Sequence, residues 1–265
     1  MKVYIFCDLE GVSGIPAGCF ISGERPELRA VAARCMAGDI NACIAGCFEA
    51  GAEEVVVRDG HGAGFNVNCE MIDARAELVQ GASPQVRFPG IEGAGALILL
   101  GYHAMAGTEG AVLEHTFSSA TIQNMWLNGR KVGELGIDAA IAAEHGVPVV
   151  LVTGDDKCCR EAQEHIPGVA VCCVKQGLST QGARMLSPAR AQEKIRRAAA
   201  DALRRFAEFS PVRLSYPATL RWELVERQMP PGGPEVVRID GRTYEKSGMS
   251  VSYTHLRAHE TDQYL

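Results

Sequence analysis

The chain predicts a layered α/β/α fold with a mostly parallel central sheet, followed by a small β-rich C-terminal region. Three observations carry that expectation. Short runs that are apolar throughout, such as residues 3–7 and 96–100, read as strands buried on both faces, as parallel sheets contain. Stretches with helical apolar spacing alternate with these runs. Beyond Pro211 the texture changes to alternating apolar and polar residues broken by hairpin turns.

The first strand, 3–7, runs into Asp8-Leu9-Glu10-Gly11. In extended chain, residues two apart point the same way, so Asp8 and Glu10 can aim at one spot. Open α/β sheets place ligands beyond the carboxyl ends of their strands, where this pair would sit. Pro26 then suits a helix start, with Leu28, Val31, Cys35, Ile40, Cys43, Ile44, Cys47 and Phe48 at helical spacing and Gly51 at the C′ position. A second strand, 54–58, ends in Asp59-Gly60-His61, and a third, 96–100, ends in Gly101-Tyr102-His103. The pattern has repeated: a buried strand, then a side chain able to bind metal just past its end.

Met125 to Val132 reads as a hairpin closed by Asn128-Gly129, with Glu114-His115 in the segment leading into it. Gly133-Glu134-Leu135-Gly136 opens a helix running to about His145, ahead of Gly146. Strands at 148–153 and 169–174 follow, the first ending in Gly154-Asp155-Asp156 and the second in Lys175-Gln176. Ser187-Pro188 has N-cap and N1 chemistry for a helix to about Phe209. Residues 1–210 thus make an α/β metal-binding catalytic body, and 211–249 a small β-rich region. The stretch 250–265 lacks an apolar stripe and resembles translated adapter residue, a non-native tail expected to pack poorly. Within it, His255 and His259 have metal-pair spacing only if helical.

A net charge of −6 gives no support to nucleic acid or an anionic membrane as partner, and no apolar run is expected to reach the ~20 residues of a membrane span. Asp8 cuts short any leader-like run after Lys2, so a cytoplasmic location is expected. The ten cysteines include no C-x-x-C and read as reduced packing residues rather than zinc ligands or disulfides.

Asp8, Glu10, His61, His103, His115 and Glu134 form the candidate constellation. Carboxylates and imidazoles hold a hydrolytic zinc, or a pair of metals bridged by a carboxylate. Each has a bland alternative: strand-end carboxylates, loop-packing histidines, and a Glu134 favoured only by a helix dipole. Delivery of all of them to one sheet rim is what favours chemistry. His145 and His165 are read as structural groups at helix C-termini. Asp155 and Asp156 can bind a substrate ammonium or simply cap a helix. No G-x-S-x-G or P-loop is present, and Gly60-His61-Gly62-Ala63-Gly64 is not a complete dinucleotide fingerprint.

Six motifs now converge: Asp8-Leu9-Glu10-Gly11-Val12-Ser13-Gly14, Asp59-Gly60-His61, Leu100-Gly101-Tyr102-His103-Ala104, Glu114-His115, Val132-Gly133-Glu134-Leu135-Gly136 and Gly154-Asp155-Asp156. In this order they resemble the D-aminopeptidase (DppA-type) family of metallopeptidases, over the chain to about Ser210. The resemblance implies that Asp8 bridges two zinc ions, with Glu10, His61, His103 and Glu134 completing the shells and His115 acting as nucleophile or base. It implies release of amino-terminal D-residues from short peptides by a homodecamer of two stacked five-membered rings with an internal channel. One departure is Gly60, where the family often carries serine. Alternatives that keep the ligand set are another metal-dependent amidase or phosphoesterase, and a metal-binding structural subunit without catalysis.

Overall fold

The computed structural model describes residues 1–83, 86–227 and 235–251. Seven strands form the central sheet, in the spatial order β3-β2-β1-β4-β7-β8-β9. These are β1 (Lys2–Cys7), β2 (Glu54–Asp59), β3 (Glu77–Val79), β4 (Ala94–Tyr102), β7 (Val149–Asp155), β8 (Ala170–Ser179) and β9 (Gly182–Met185). All neighbours are parallel except the β8–β9 hairpin. The expected strands are present, and two short strands are additional. β3 has only three residues and β9 four, too short for a periodic signal, while α3 (Asp156–His165) follows β7 and ends at His165, as read. β8 also runs past Val174, so Lys175 and Gln176 lie within the strand rather than beyond it.

Both faces of the sheet are covered, which is why its strands read as continuous apolar runs. Val3, Ile5 and Cys7 pack with α1 (Pro26–Glu49) and α4 (Pro188–Arg204). Tyr4 and Phe6 face the other way, into a core shared with α2 (Glu134–Glu144), α3 and a second sheet. Contrary to the expectation that no run reaches membrane length, the 24-residue α1 is long and apolar enough to cross a bilayer. More than half of its most apolar stretch is buried inside the molecule, as suits the core helix of a folded domain.

The second sheet is antiparallel, in the order β11-β12-β10-β5-β6. Its members are β5 (Ile122–Leu127), β6 (Arg130–Val132), β10 (Ala218–Leu224), β11 (Val236–Arg238) and β12 (Thr243–Met249). The β5–β6 turn holds Asn128 and Gly129 at φ of 51° and 80°, the left-handed pair a tight hairpin needs. The C-terminal strands were expected as an appendage, yet β10 pairs with β5 on one side and β12 on the other. Segments from before and after residue 210 therefore share one sheet. Trp222 and Tyr244 stack at 6.2 Å within the same core as Leu135 and Ile141 of α2. Of the expected tail, Ser250 and Val251 bond Glu144, and Val251 is buried. The remainder, including His255 and His259, lies outside the described residues.

The strand order creates a crevice. From β1 the chain builds outward through β2 and β3, then returns to add β4 on the other side of β1. The carboxyl ends of β1 and β4 therefore flank a topological switch point, where open α/β sheets bind ligands.

Candidate metal centre

Asp8 and His103 immediately follow β1 and β4, and His61 stands two residues beyond β2. Glu134 is the first residue of α2, and His115 lies in the loop between β4 and β5. Side chains from five segments meet here. His61 Nδ1 lies 3.1 Å from Asp8 Oδ1 and 3.0 Å from Glu10 Oε2. His103 Nε2 lies 3.3 Å from Asp8 Oδ2 and 3.2 Å from Glu134 Oε1. His115 Nε2 is 3.5 Å from the same Glu134 oxygen, and its ring stacks on His103 at 4.0 Å. Asp8 and Glu10 reach their common target by a different route from the expected extended one. The chain turns at Leu9, whose amide donates to Asp8 Oδ1 at 2.8 Å.

The donor set fits a metal on grounds of hydrogen-bonding chemistry. His103 Nδ1 lies 3.0 Å from the Ala104 carbonyl and His115 Nδ1 2.9 Å from that of Leu113. Each Nδ1 therefore carries the proton, and each Nε2 presents a lone pair to the site. Those lone pairs face carboxylate oxygens, so acceptor meets acceptor. Among the described residues, His103 Nε2 and Glu10 Oε2 are buried with no hydrogen-bond partner. Only cations, protons or metal ions, reconcile such a cluster. Its electrostatics show the same demand. Burial opposes charge on His61 and His103, but Glu10, Glu134 and Asp8 outweigh it and hold both well above the ordinary histidine value. Burial likewise opposes ionised Asp8 and Glu134, yet the histidines hold Asp8 well below its ordinary value and Glu134 at about 2.

Around the cluster stand groups that sequence reading did not find. Arg87 forms a bidentate pair with Asp138 at 2.8 Å, and Tyr102 Oη donates to Asp138 at 2.6 Å. Its guanidinium also lies 3.7 Å from Glu134 Oε2 and stacks 4.4 Å above the Phe6 ring. The Phe117 amide donates to Glu134 Oε1 at 2.8 Å. His115 sits between Leu113 and Phe117, whose φ of 50° and 59° are left-handed values costly for such side chains. Buried Lys175 donates to the carbonyls of Glu10, Val12 and Ile15 at 2.5, 2.9 and 2.6 Å, clamping the loop that carries Glu10. A short acid-bearing loop after a strand was legible; a lysine 165 residues away that holds it was not.

Asp155 and Asp156 are both engaged by groups of the chain itself. Asp155 is fully buried and caps α3, accepting from Lys157 and Cys158 amides at 3.0 and 2.8 Å and from Val112 at 2.8 Å. Asp156 accepts from Lys157 Nζ and the Gly177 amide. Asp155 thus meets two amides at the start of α3 and ties the Val112 loop to it, and Asp156 ties that start to β8 through the Gly177 amide.

Gly60 acquires a physical reason. A Cβ at this position would stand 2.0 Å from Phe6 Cε1, so the ring beneath Arg87 occupies the space a serine would need.

Known proteins resemble this chain in sequence and in fold. The D-aminopeptidase (peptidase M55) family model matches residues 1–257. A D-aminopeptidase of Bacillus subtilis (strain 168) is 38% identical over 216 residues, covering 80% of this chain and 77% of the relative. Among solved structures, the Zn-dependent D-aminopeptidase DppA from Bacillus subtilis, described as a self-compartmentalizing protease, superposes with a TM-score of 0.89 at 29% identity, over 100% of this chain and 97% of that one. With the family model spanning nearly the whole chain and the switch-point cluster in place, this protein belongs to the D-aminopeptidase family of peptidases.

Proposed function

We propose that this chain is a zinc-dependent aminopeptidase that releases amino-terminal D-residues from short peptides or amides through a two-metal site. The observation that carries the reading is the position of Asp8, whose two oxygens face two different histidines, His61 and His103. One carboxylate thereby joins two half-sites: Glu10 and His61 on one side, His103 and Glu134 on the other. The relatives named above, one of them Zn-dependent, support the metal and the substrate class.

Asp8, Glu10, His61, His103 and Glu134 would hold the divalent ions, which when bound would supply Lewis acidity toward the scissile carbonyl and water. The chain supplies the rest. His115, with Nδ1–H donated to Leu113, keeps Nε2 free to take a proton from water and return it to the leaving amine. Its strained loop and its stacking on His103 fix the ring with little freedom to lose. A specific observation favours a second role for His115. Its ligating atom and those of His103 and Glu134 all lie within 4.8 Å of one another, the arrangement of a ligand trio.

The description of the solved relative as self-compartmentalizing supports an oligomer, and the family resemblance supports a decamer of two pentameric rings. We place the protein in the cytoplasm, in keeping with ten free cysteines. The test is hydrolysis of paired D- and L-aminoacyl amides by zinc-loaded and chelator-stripped protein, with a phosphoester as control. Zinc-dependent cleavage of the D-series is expected. Cleavage that survives chelation, or preference for L-amides or phosphoesters, would overturn the reading.

A further inference from the structure

We propose that Glu161 is a positioning residue that holds the His103 and Glu134 arms of the centre in register. The proposal rests on reading those two residues as metal ligands. Glu161 comes from α3, outside the cluster, and is only 5% exposed. Its Oε2 accepts the Met105 amide at 2.7 Å, two residues beyond His103. Among the described residues its Oε1 has no hydrogen-bond partner, and it lies against the start of α2. A Cβ on Gly133, the residue before Glu134, would lie 2.6 Å from that oxygen and 2.7 Å from Met105 Cβ. The end of β4, the start of α2 and the body of α3 are therefore wedged together at one carboxyl group.

Two features suit this placement. Gly133 caps α2 without a side chain, so the first amides of the helix gain a nearby carboxyl from α3 instead. Burial also raises the Glu161 carboxyl to about 7, countered by the Met105 amide and by His103. A partly neutral group there repels Glu134 less than a fixed anion would. For packing alone, a buried carboxyl with an unmatched oxygen is a poor choice, and such groups call for an explanation. Ligand residues are commonly held by outer partners whose loss weakens metal affinity.

The experiment measures zinc affinity and stoichiometry of the full-length chain by competition with a chromophoric chelator. Melting of the metal-free protein and kcat and KM on a D-aminoacyl amide are read alongside. Glu161→Ala is expected to loosen one of two zinc ions by roughly 10- to 100-fold and to lower kcat with KM little changed. Glu161→Gln, which keeps an oxygen for the Met105 amide, should recover most of the affinity. Glu161→Asp, one methylene shorter, should resemble Ala and carries the test if Ala does not fold. Wild-type affinity in Ala or Asp, with only the metal-free melting lowered, would make the residue merely structural and overturn the proposal. If the wild-type chain takes up no zinc, the ligand reading falls and this inference with it. If wild type binds two ions and every variant does too with equal affinity, this inference alone falls.

Discussion

Replacing Gly60 by serine, the residue the family resemblance leads one to expect, should destabilise this protein. The new Cβ would lie 2.0, 2.3 and 2.8 Å from Phe6 Cε1, Cζ and Cδ1, whereas carbon atoms pack at about 3.5–4.0 Å. The ring must shift by roughly 1.5–2 Å to clear it. Phe6 is 2% exposed, packed edge-on to Phe88 at 5.2 Å, near Tyr102 at 6.0 Å, and beneath Arg87 at 4.4 Å. Overpacking of a core costs about 1–3 kcal/mol, and loosening the aromatic and cation–π contacts adds roughly 1 kcal/mol. A total of about 2–4 kcal/mol corresponds to a fall in Tm of roughly 5–15 °C for a chain of this size. Because Arg87 also reaches Glu134, activity should fall more than stability alone explains. The assay is denaturant unfolding of the chelated protein for Gly60→Ser, Phe6→Leu and the double variant. In the Phe6→Leu background the serine should cost under about 1 kcal/mol, giving a coupling of at least ~1 kcal/mol. A Gly60→Ser protein as stable as wild type, or an equal cost in both backgrounds, would refute the steric reasoning.

Four further outcomes are expected. Asp8→Ala should lose most of both metal ions by elemental analysis, whereas His61→Ala should lose chiefly one, because Asp8 alone faces both half-sites; a wild-type chain with a single ion sinks the dinuclear centre. His115→Ala should keep its metal and lose turnover by ~10²–10⁴, and a metal-depleted variant would instead make His115 a ligand. Asp155→Ala should cost about 1–3 kcal/mol by unfolding, since it strips three amides of their acceptor, while KM of the folded enzyme stays put; a raised KM would restore a role in binding substrate. For pH, the Glu161 carboxyl stands at about 7 in the fold against 4.5 in the open chain. The native state therefore holds a proton across that window that the unfolded chain releases, so stability falls as pH rises from about 4.5 to 7. By roughly 3 kcal/mol, Glu161→Gln should gain on wild type over that range in metal-free melts, and parallel pH profiles would contradict it.

Much of the architecture was written locally. Apolar runs at 3–7, 54–58 and 96–100 announce strands buried on both faces because burial acts residue by residue along the chain. Asn128-Gly129 announces its turn because few residue pairs tolerate two left-handed conformations. Acids and histidines placed just past strand ends mark the rim where parallel sheets bind ligands, so the cluster residues could be singled out before their distances were known. Periodicity, however, reports only that a face is buried, not by what. Whether β4 lies beside β1, and so brings His103 to the second oxygen of Asp8, is decided by packing between segments some 90 residues apart. The same holds for β10, which looks like the start of an appendage until it pairs with β5. Arg87, Lys175 and Glu161 carry no local signal at all, because each acts on a loop far away in sequence. Left-handed Leu113 and Phe117 are equally silent, since nothing in their chemistry favours that backbone and only the surrounding fold holds it. Sequence fixes which side chains are available at the rim; tertiary packing alone fixes the ångström-scale spacing on which metal chemistry depends.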